Sequence, residues 1–324
     1  MIRSFAQLLV ACAWVASISS IALVASLASA EGNEADWYPS KWGADDTLGA
    51  INELSPQGVL EAAKLIKTGK TYSLAVETGR HTPAFGSRSF QLFAVASGDG
   101  SGAVMGRNRG TFNDDWMTTW LGIGTQIDGL GHLGIEHVYY NGTHVSDFWR
   151  ADGLTRFGTH LLPPIVTRGV LLDIAGLKKV KMLAGGTPIH VSDIKAAAKR
   201  QGIELRRGDV VIFNTGWQEL ATTDPEKFMA AEPGLDVDGA EYLATIGVVA
   251  IGADTWGLDV LPNPDPELVF PVHQILLAKN GIYVLENIRT DELVADSAWE
   301  FLFVLGQPKF VGAVQMVINP IAIR

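Results

Sequence analysis

The sequence predicts an α/β domain with helices covering a sheet, and three observations predict it. A helical stretch, a glycine and a strand-type run follow one another three times, over 192–214, 237–253 and 272–286. No internal repeat, low-complexity tract or linker rich in Pro, Ser or charge divides the chain. At 324 residues with 47% in the apolar class, the chain can bury a substantial core as one domain.

The chain opens with a leader. Residues 1–30 carry one charge, Arg3, and then an apolar run from Leu8 to Leu27 that exits through Ala28-Ser29-Ala30 into Glu31. A positive start, an apolar stretch and small residues at the exit describe a secretory signal peptide cut after Ala30, with export to the periplasm or the medium. The competing reading is an uncleaved anchor, because the run approaches the ~20 residues that span a bilayer. Cleavage reduces 324 residues to 294, over 31–324, and takes net charge from −10 to −11 because Arg3 is lost. It also removes Cys12, the lone cysteine, so disulfides, thiolate catalysis and thiolate metal sites are excluded. An acidic balance argues against a nucleic-acid partner. No later segment reaches spanning length without charges, so no membrane contact is expected after cleavage.

The elements of the mature chain follow in order. Ser55-Pro56 starts a helix, with Ser as cap and Pro in the first turn; Val59, Ala62, Ala63 and Ile66 form its apolar stripe, and Gly69 stops it. A second helix runs from Ser192 to Gln201 before Gly202, and a third from Val237 to Ile246 before Gly247. Strand-type runs cover Gly169–Ile174, Asp209–Asn214, Val248–Ala253, Ile282–Glu286 and Val311–Ile318. The stretch from 79 to 165 reads as long loops around the site, and long irregular loops in a compact domain are usually functional. Asn141-Gly142-Thr143 fits a glycosylation sequon.

The densest polar cluster is Gly124-Thr125-Gln126-Ile127-Asp128-Gly129-Leu130-Gly131-His132. Extended backbone would point Gln126, Asp128 and His132 to one face. The glycines at 122, 124, 129 and 131 allow tight turns or approach to a ligand. An Asp beside a His suits a metal site or an acid/base pair, though such a pair also arises by chance. Downstream, His273 sits at a helix start after Pro271-Val272, and Glu286 ends the strand Ile282–Leu285. A carboxylate on the buried side of a strand needs a partner, which a metal, Arg289 or solvent could supply. Asp254 reads as a turn residue or a pocket wall, and Thr215-Gly216-Trp217 is similarly placed. Trp116 and Trp120 floor an aromatic pocket or pack in the core, and Trp256 is a further pocket candidate. The other histidines, His190 among them, show no partner at metal-ligand spacing.

Taken together these residues resemble the cyclase family that includes bacterial kynurenine formamidase and isatin hydrolase. The resemblance runs through Trp42-Gly43-Ala44-Asp45-Asp46-Thr47-Leu48-Gly49-Ala50-Ile51-Asn52, Arg168–Asp173, Gly208–Trp217, Ile251–Thr255 and the His273…Glu286 pair. The family signature H-x-G-T-H-x-D-x-P-x-H falls on residues 122–132, where Gly122 and Gln126 occupy the two leading histidine positions and Leu130 the proline position. Gly124, Thr125, Asp128 and His132 match it.

The resemblance implies a single swivelling β/β/α domain and one divalent ion, Zn or Mn, held by Asp128, His273 and Glu286. It leaves His132 as acid/base, and Gln126 as a weak oxygen ligand or a partner of the bound water. Three ligands and an open position describe a catalytic site, and a mixed N/O set suits either metal. The implied reaction is hydrolysis of an amide, formamide or lactam by metal-activated water, arylformamidase-like, of the kind used on kynurenine precursors in tryptophan catabolism. Two alternatives remain: a metal-dependent lyase or dehydratase, and a non-catalytic small-molecule binding protein that kept the fold. By analogy with relatives, a homodimer is expected. If the leader reading is right, intact-mass analysis of the exported protein will begin at Glu31; a full-length chain retained in membranes would favour the anchor.

Overall fold

Four fully buried parallel strands form the centre of the molecule, because their sequences are nearly continuous apolar runs that need cover on both faces. The computed structural model describes residues 37–96 and 104–324; the expected leader, 1–30, lies outside them. Nine strands build one mixed sheet: β1 (Thr71–Ser73), β2 (Gln126–Asp128), β3 (Ile165–Asp173), β4 (Val210–Asn214), β5 (Ala250–Ala253), β6 (Tyr283–Glu286), β7 (Glu300–Leu305), β8 (Gln315–Val317) and β9 (Ile321–Ile323). Their order is β1-β9-β7-β3-β4-β5-β6-β2-β8. The β3-β4-β5-β6 centre is parallel, and both flanks are antiparallel.

One helix precedes the sheet, and three more sit where the sequence places them, between parallel strands. Helix α1 (Pro56–Ala63) is capped by Ser55, whose hydroxyl accepts from the Gly58 N–H at 3.0 Å. Helix α2 (Val191–Gln201) joins β3 to β4 and ends at Gly202 with φ 70°; α3 (Val237–Ile246) joins β4 to β5 and ends at Gly247 with φ 86°. Both glycines adopt the left-handed conformation that closes a helix at low steric cost. Helix α4 begins as Pro271–His273 and continues in π-type turns over Gln274–Lys279, joining β5 to β6. Strand and helix therefore alternate as expected, and the α/β class stands.

Some expectations are corrected. The stripe on α1 is shorter than read: Ala62 is buried, but the helix stops at Ala63 and leaves Ile66 exposed. The run 311–318 is a strand only over Gln315–Val317, because the chain turns at Gly312. The stretch 79–165 is not all loop. Phe90–Ala96 and Asn113–Thr119 pair antiparallel as a two-stranded ribbon, in register from Phe90 opposite Thr119 to Ala96 opposite Asn113. Asn141 of the sequon is engaged in the fold: its amide donates to the carbonyls of Gly43, Ala44 and Asp46 and accepts from the Ser40 N–H.

One buried ion pair ties the strands together. Arg168 on β3 makes a bidentate contact with Asp209, Nε to Oδ1 at 2.8 Å and Nη2 to Oδ2 at 2.6 Å, and Nη1 reaches Glu300 at 2.7 Å. Both Arg168 and Asp209 are buried. Removing one partner would strand the other charge, so Arg168→Ala should cost about 3–5 kcal/mol in urea unfolding. A loss within the error of the wild-type curve would show that Asp209 finds another counter-charge.

Candidate metal centre

The site is built on a cross-strand register. The three-residue strand β2 lies between β6 and β8, with Gln126 opposite Glu286 and Gln315 opposite Asp128. Directly opposed side chains lie close enough to touch. Gln126 Nε2 accordingly donates to Glu286 Oε2 at 2.6 Å, and Gln315 Nε2 donates to Asp128 Oδ1 at 2.7 Å. Gln126 Nε2 also lies 3.3 Å from Asp128 Oδ1. Gln126 and Asp128 share a face, as period-two alternation requires. The chain then turns, with the His132 N–H bonded to the Gly129 carbonyl at 3.0 Å, and brings His132 back beside Asp128.

The second arm of the site is the start of α4. Asp259 accepts from the Val272 N–H at 2.8 Å and from His273 Nδ1 at 2.6 Å, so one carboxylate fixes both the helix start and the imidazole. With Nδ1–H committed, Nε2 points at Asp128 Oδ2 (3.3 Å) and Glu286 Oε1 (3.4 Å). His132 Nε2 lies 3.7 Å from the same Asp128 Oδ2. Ligand atoms of Asp128, His132 and His273 all lie within 4.8 Å of one another. Asp128, His273 and Glu286 are buried, and His132 is half-buried.

The charges show what this arrangement lacks. For Asp128, burial works to raise the pKa, but the charge of His132, the hydrogen bond and charge of His273 and the Gln315 amide bring it down to about 2. Burial, then the Asp128 charge, push Glu286 up to about 7. Burial opposes protonation of His273, yet Asp259, Asp128 and Glu286 together hold it well above the ordinary histidine range. Burial lowers His132, against the pull of Asp128. A neutral His273 bonded through Nδ1 would aim its Nε2 lone pair at two carboxylate oxygens. Such a cluster is stable only with a cation at its centre, either a proton on Nε2 or a metal ion. The donor set of imidazole and carboxylate fits a divalent ion.

The other expected site residues are placed differently. Gln126 presents its amide nitrogen to the carboxylates, so it clamps them and does not offer the oxygen expected of a ligand. Arg289 is not the partner of Glu286; it pairs with Asp291 and Glu292. Trp116 and Trp120 are 52% and 53% exposed, and Trp116 stacks on Phe93 with centroids 4.7 Å apart. Both belong to the ribbon and its end, which carry them away from the core, so neither floors a pocket within the chain. Asp254 is a turn carboxylate: it accepts from Thr215 N, Thr215 Oγ and Gly216 N, and burial still pushes it up to about 6. It also borders a cavity of about 1020 Å³ that Asn214, Asn287 and Arg289 line, but no proposed ligand lines that cavity. Trp256 lies closer to the site. It stacks on Phe85 at 5.6 Å and meets Phe270 edge-on at 6.4 Å, and Phe270 meets His273 edge-on at 5.5 Å.

Several residues of the site were not singled out in the sequence. Asp259 and Gln315 reach it from distant segments and carry no local motif. Glu232 is another: its Oε2 accepts from the Trp256 and Gly257 N–H groups, Oε1 has no partner, and burial and then the Glu286 charge raise it well above the carboxylate range. His190, expected to lack partners, meets Asp236 at 3.2 Å and Asp238 at 3.1 Å on the surface, at the starts of α2 and α3.

A family model described as "Putative cyclase" matches residues 72–260, a span that includes Asp128 and His132 and ends before His273 and Glu286. A crystal structure of a novel cyclase is 29% identical with a TM-score of 0.81, over 88% of this chain and 98% of that one. An isatin hydrolase bound to the product analogue thioisatinate is 19% identical with a TM-score of 0.60, over 83% and 98%. Isatin hydrolase A from Ralstonia solanacearum is 18% identical with a TM-score of 0.59, over 84% and 98%. The likeness to the two isatin hydrolases is one of fold. Among curated proteins no significant match is found.

Asp259 holds the far nitrogen of His273, where it would support an ion bound at Nε2, and such partners typically contribute ~10–100-fold to metal affinity. Asp259→Asn should therefore weaken divalent-ion binding by ~10–100-fold in a competitive chelator titration, in a variant whose far-UV spectrum shows the native fold. Unchanged affinity would mean that another group orients the ring.

Proposed function

The chain belongs to the cyclase family, and from that premise we propose that it is a metal-dependent hydrolase that cleaves the C–N bond of an amide, formamide or lactam. The observation that carries this reading is the convergence of Asp128 Oδ2, Glu286 Oε1 and His273 Nε2, with Asp259 holding the far nitrogen of the imidazole. Asp128, His273 and Glu286 would hold one divalent ion, zinc or manganese. Bound there, the ion supplies a Lewis acid that polarises the carbonyl and lowers the pKa of water toward ~7.

The residues of the chain divide the remaining work. Gln126 and Gln315 keep each carboxylate turned so that its second oxygen faces His273. His132, half-buried beside Asp128, takes a proton at Nε2 and passes it to the leaving nitrogen. Phe85, Trp256 and Phe270 form an apolar wall suited to a flat ring, which favours an aryl formamide among the amides. A second reading makes His132 a ligand, and its place in the 4.8 Å cluster favours it.

One set of variants separates these readings. Asp128→Asn and Glu286→Gln should lose both bound metal and turnover, by ~100-fold or more in kcat/KM. His132→Ala should retain metal and lose turnover if it is the acid/base; loss of metal would make it a ligand. Retention of metal and activity in all three would overturn the site. Solvent ¹⁸O entering the product marks hydrolysis, and its absence would mark the lyase reaction.

We further infer a homodimer formed through the ribbon. Leu92, Met105, Phe112, Trp116, Met117 and Trp120 are each about half exposed, between 46% and 55%. Together they offer several hundred Å² of apolar surface, the scale of one side of a standard interface at ~800 Å². Asp114 and Asp115 on one strand and Arg107 and Arg109 in the turn make the ribbon complementary to a second copy of itself. Light scattering should give a dimer that Trp116→Ser/Trp120→Ser converts to monomer; a wild-type monomer at micromolar concentration would exclude it. Export rests on the leader sequence alone.

A further inference from the structure

Arg88 stands beside the metal-ligand cluster, with no carboxylate partner among the described residues. Its Nη1 donates to the Gly122 carbonyl at 2.8 Å, and the guanidinium lies 5.8 Å from the Phe85 ring centroid. No Asp or Glu oxygen among the described residues lies within ion-pair distance of it. It is half-buried, where an uncompensated charge is costly.

Gly122 is what admits it. A Cβ at 122 would come within 2.4 Å of Gln315 Oε1 and 2.8 Å of Arg88 Nη1. Any larger residue would crowd both the guanidinium and the Gln315 amide, and that amide is the group that holds Asp128. The Arg88 charge is felt at both Glu286 and His132. A fixed cation thus lies close to the reacting centre, with one of its N–H groups bonded among the described residues and an aromatic ring beside it.

We propose that Arg88 is a substrate anchor, and that it pairs with a carboxylate carried by the substrate. The planar fork of a guanidinium matches the two oxygens of a carboxylate, and the pairing neutralises the half-buried charge. The substrate class is then an amide or formamide that also bears a carboxylate group, held with its carbonyl toward His273 and His132 and its anion toward Arg88. This rests on the hydrolase reading of the same site.

The test uses the metal-loaded protein and a matched pair of amides, formanilide and its ring-carboxylated counterpart, formamidobenzoate. Arg88→Met should lower kcat/KM for formamidobenzoate, mainly through KM, by ~10–100-fold more than it lowers that for formanilide. Arg88→Lys should restore part of the loss. Equal losses on both substrates, or none on either, would overturn the anchor. Benzoate binding by calorimetry gives a second readout: affinity should fall ~10–100-fold in Arg88→Met with metal content unchanged, while benzamide is unaffected. If neither amide is turned over, the hydrolase reading fails, and benzoate binding still decides the role of Arg88.

Discussion

Two antiparallel pairings hold the three residues of β2 between β6 and β8, and they set Gln126 against Glu286 and Asp128 against Gln315. A slip of one residue would turn Asp128 away from the other three groups and put Ile127 in its place. Such a slip is resisted on the other face, where Ile127, Leu285 and Met316 are paired and buried in the core. The apolar side of these strands therefore fixes the polar side. The carboxylates stay where they are because the hydrophobic core would have to be rebuilt to move them.

His273 then decides what kind of site the carboxylates form. Its Nδ1 bond to Asp259 leaves Nε2 facing Asp128 and Glu286, so the cluster has more acceptors than donors at its centre. The crowding of carboxylates around it holds His273 above its ordinary range against burial, and burial with the Asp128 charge raises Glu286, while His132, His273 and the Gln315 amide keep Asp128 low. A group of acceptors closed around one point has a strong affinity for a cation, and the α4 start that supplies His273 is held by the same Asp259. Phe270 just before it adopts φ 50°, a left-handed conformation uncommon for an aromatic residue, and one that places its ring against His273. Strained backbone next to a catalytic centre is a recurrent feature of functional sites.

The sequence disclosed the frame of this arrangement well and its fine structure poorly. Helix α3 was legible from end to end because Asp236 and Gly247 carry local chemistry, an N-cap acceptor and a left-handed closer. The parallel strands were legible because burial on both faces makes them continuous apolar runs. Strand β2 was not, since three residues, two of them polar, carry no period. The ribbon was hidden inside a stretch that reads as loop: Phe90–Ala96 pairs with Asn113–Thr119, and Leu92 and Val95 on it face solvent. Asp128, His273 and Glu286, singled out by type and motif, do come together. Gln315 reaches Asp128 across 187 residues, and only the register of β8 discloses that contact.

The two glutamines also bear on how the carboxylates are held. An amide donates a hydrogen bond without bringing charge, so it orients a carboxylate and leaves its negative charge intact. Asp128 Oδ1 and Glu286 Oε2 each accept one such bond, while Oδ2 and Oε1 both face the same imidazole nitrogen. On the other side, where a side chain at position 122 would stand, the space belongs to Gln315 and the Arg88 guanidinium. A permanent cation stands on that flank, and any divalent ion placed beside it would meet its repulsion. The charge there is fixed in kind as well as in place: a guanidinium stays protonated and offers only donors, whereas the carboxylates and imidazoles opposite it offer acceptors.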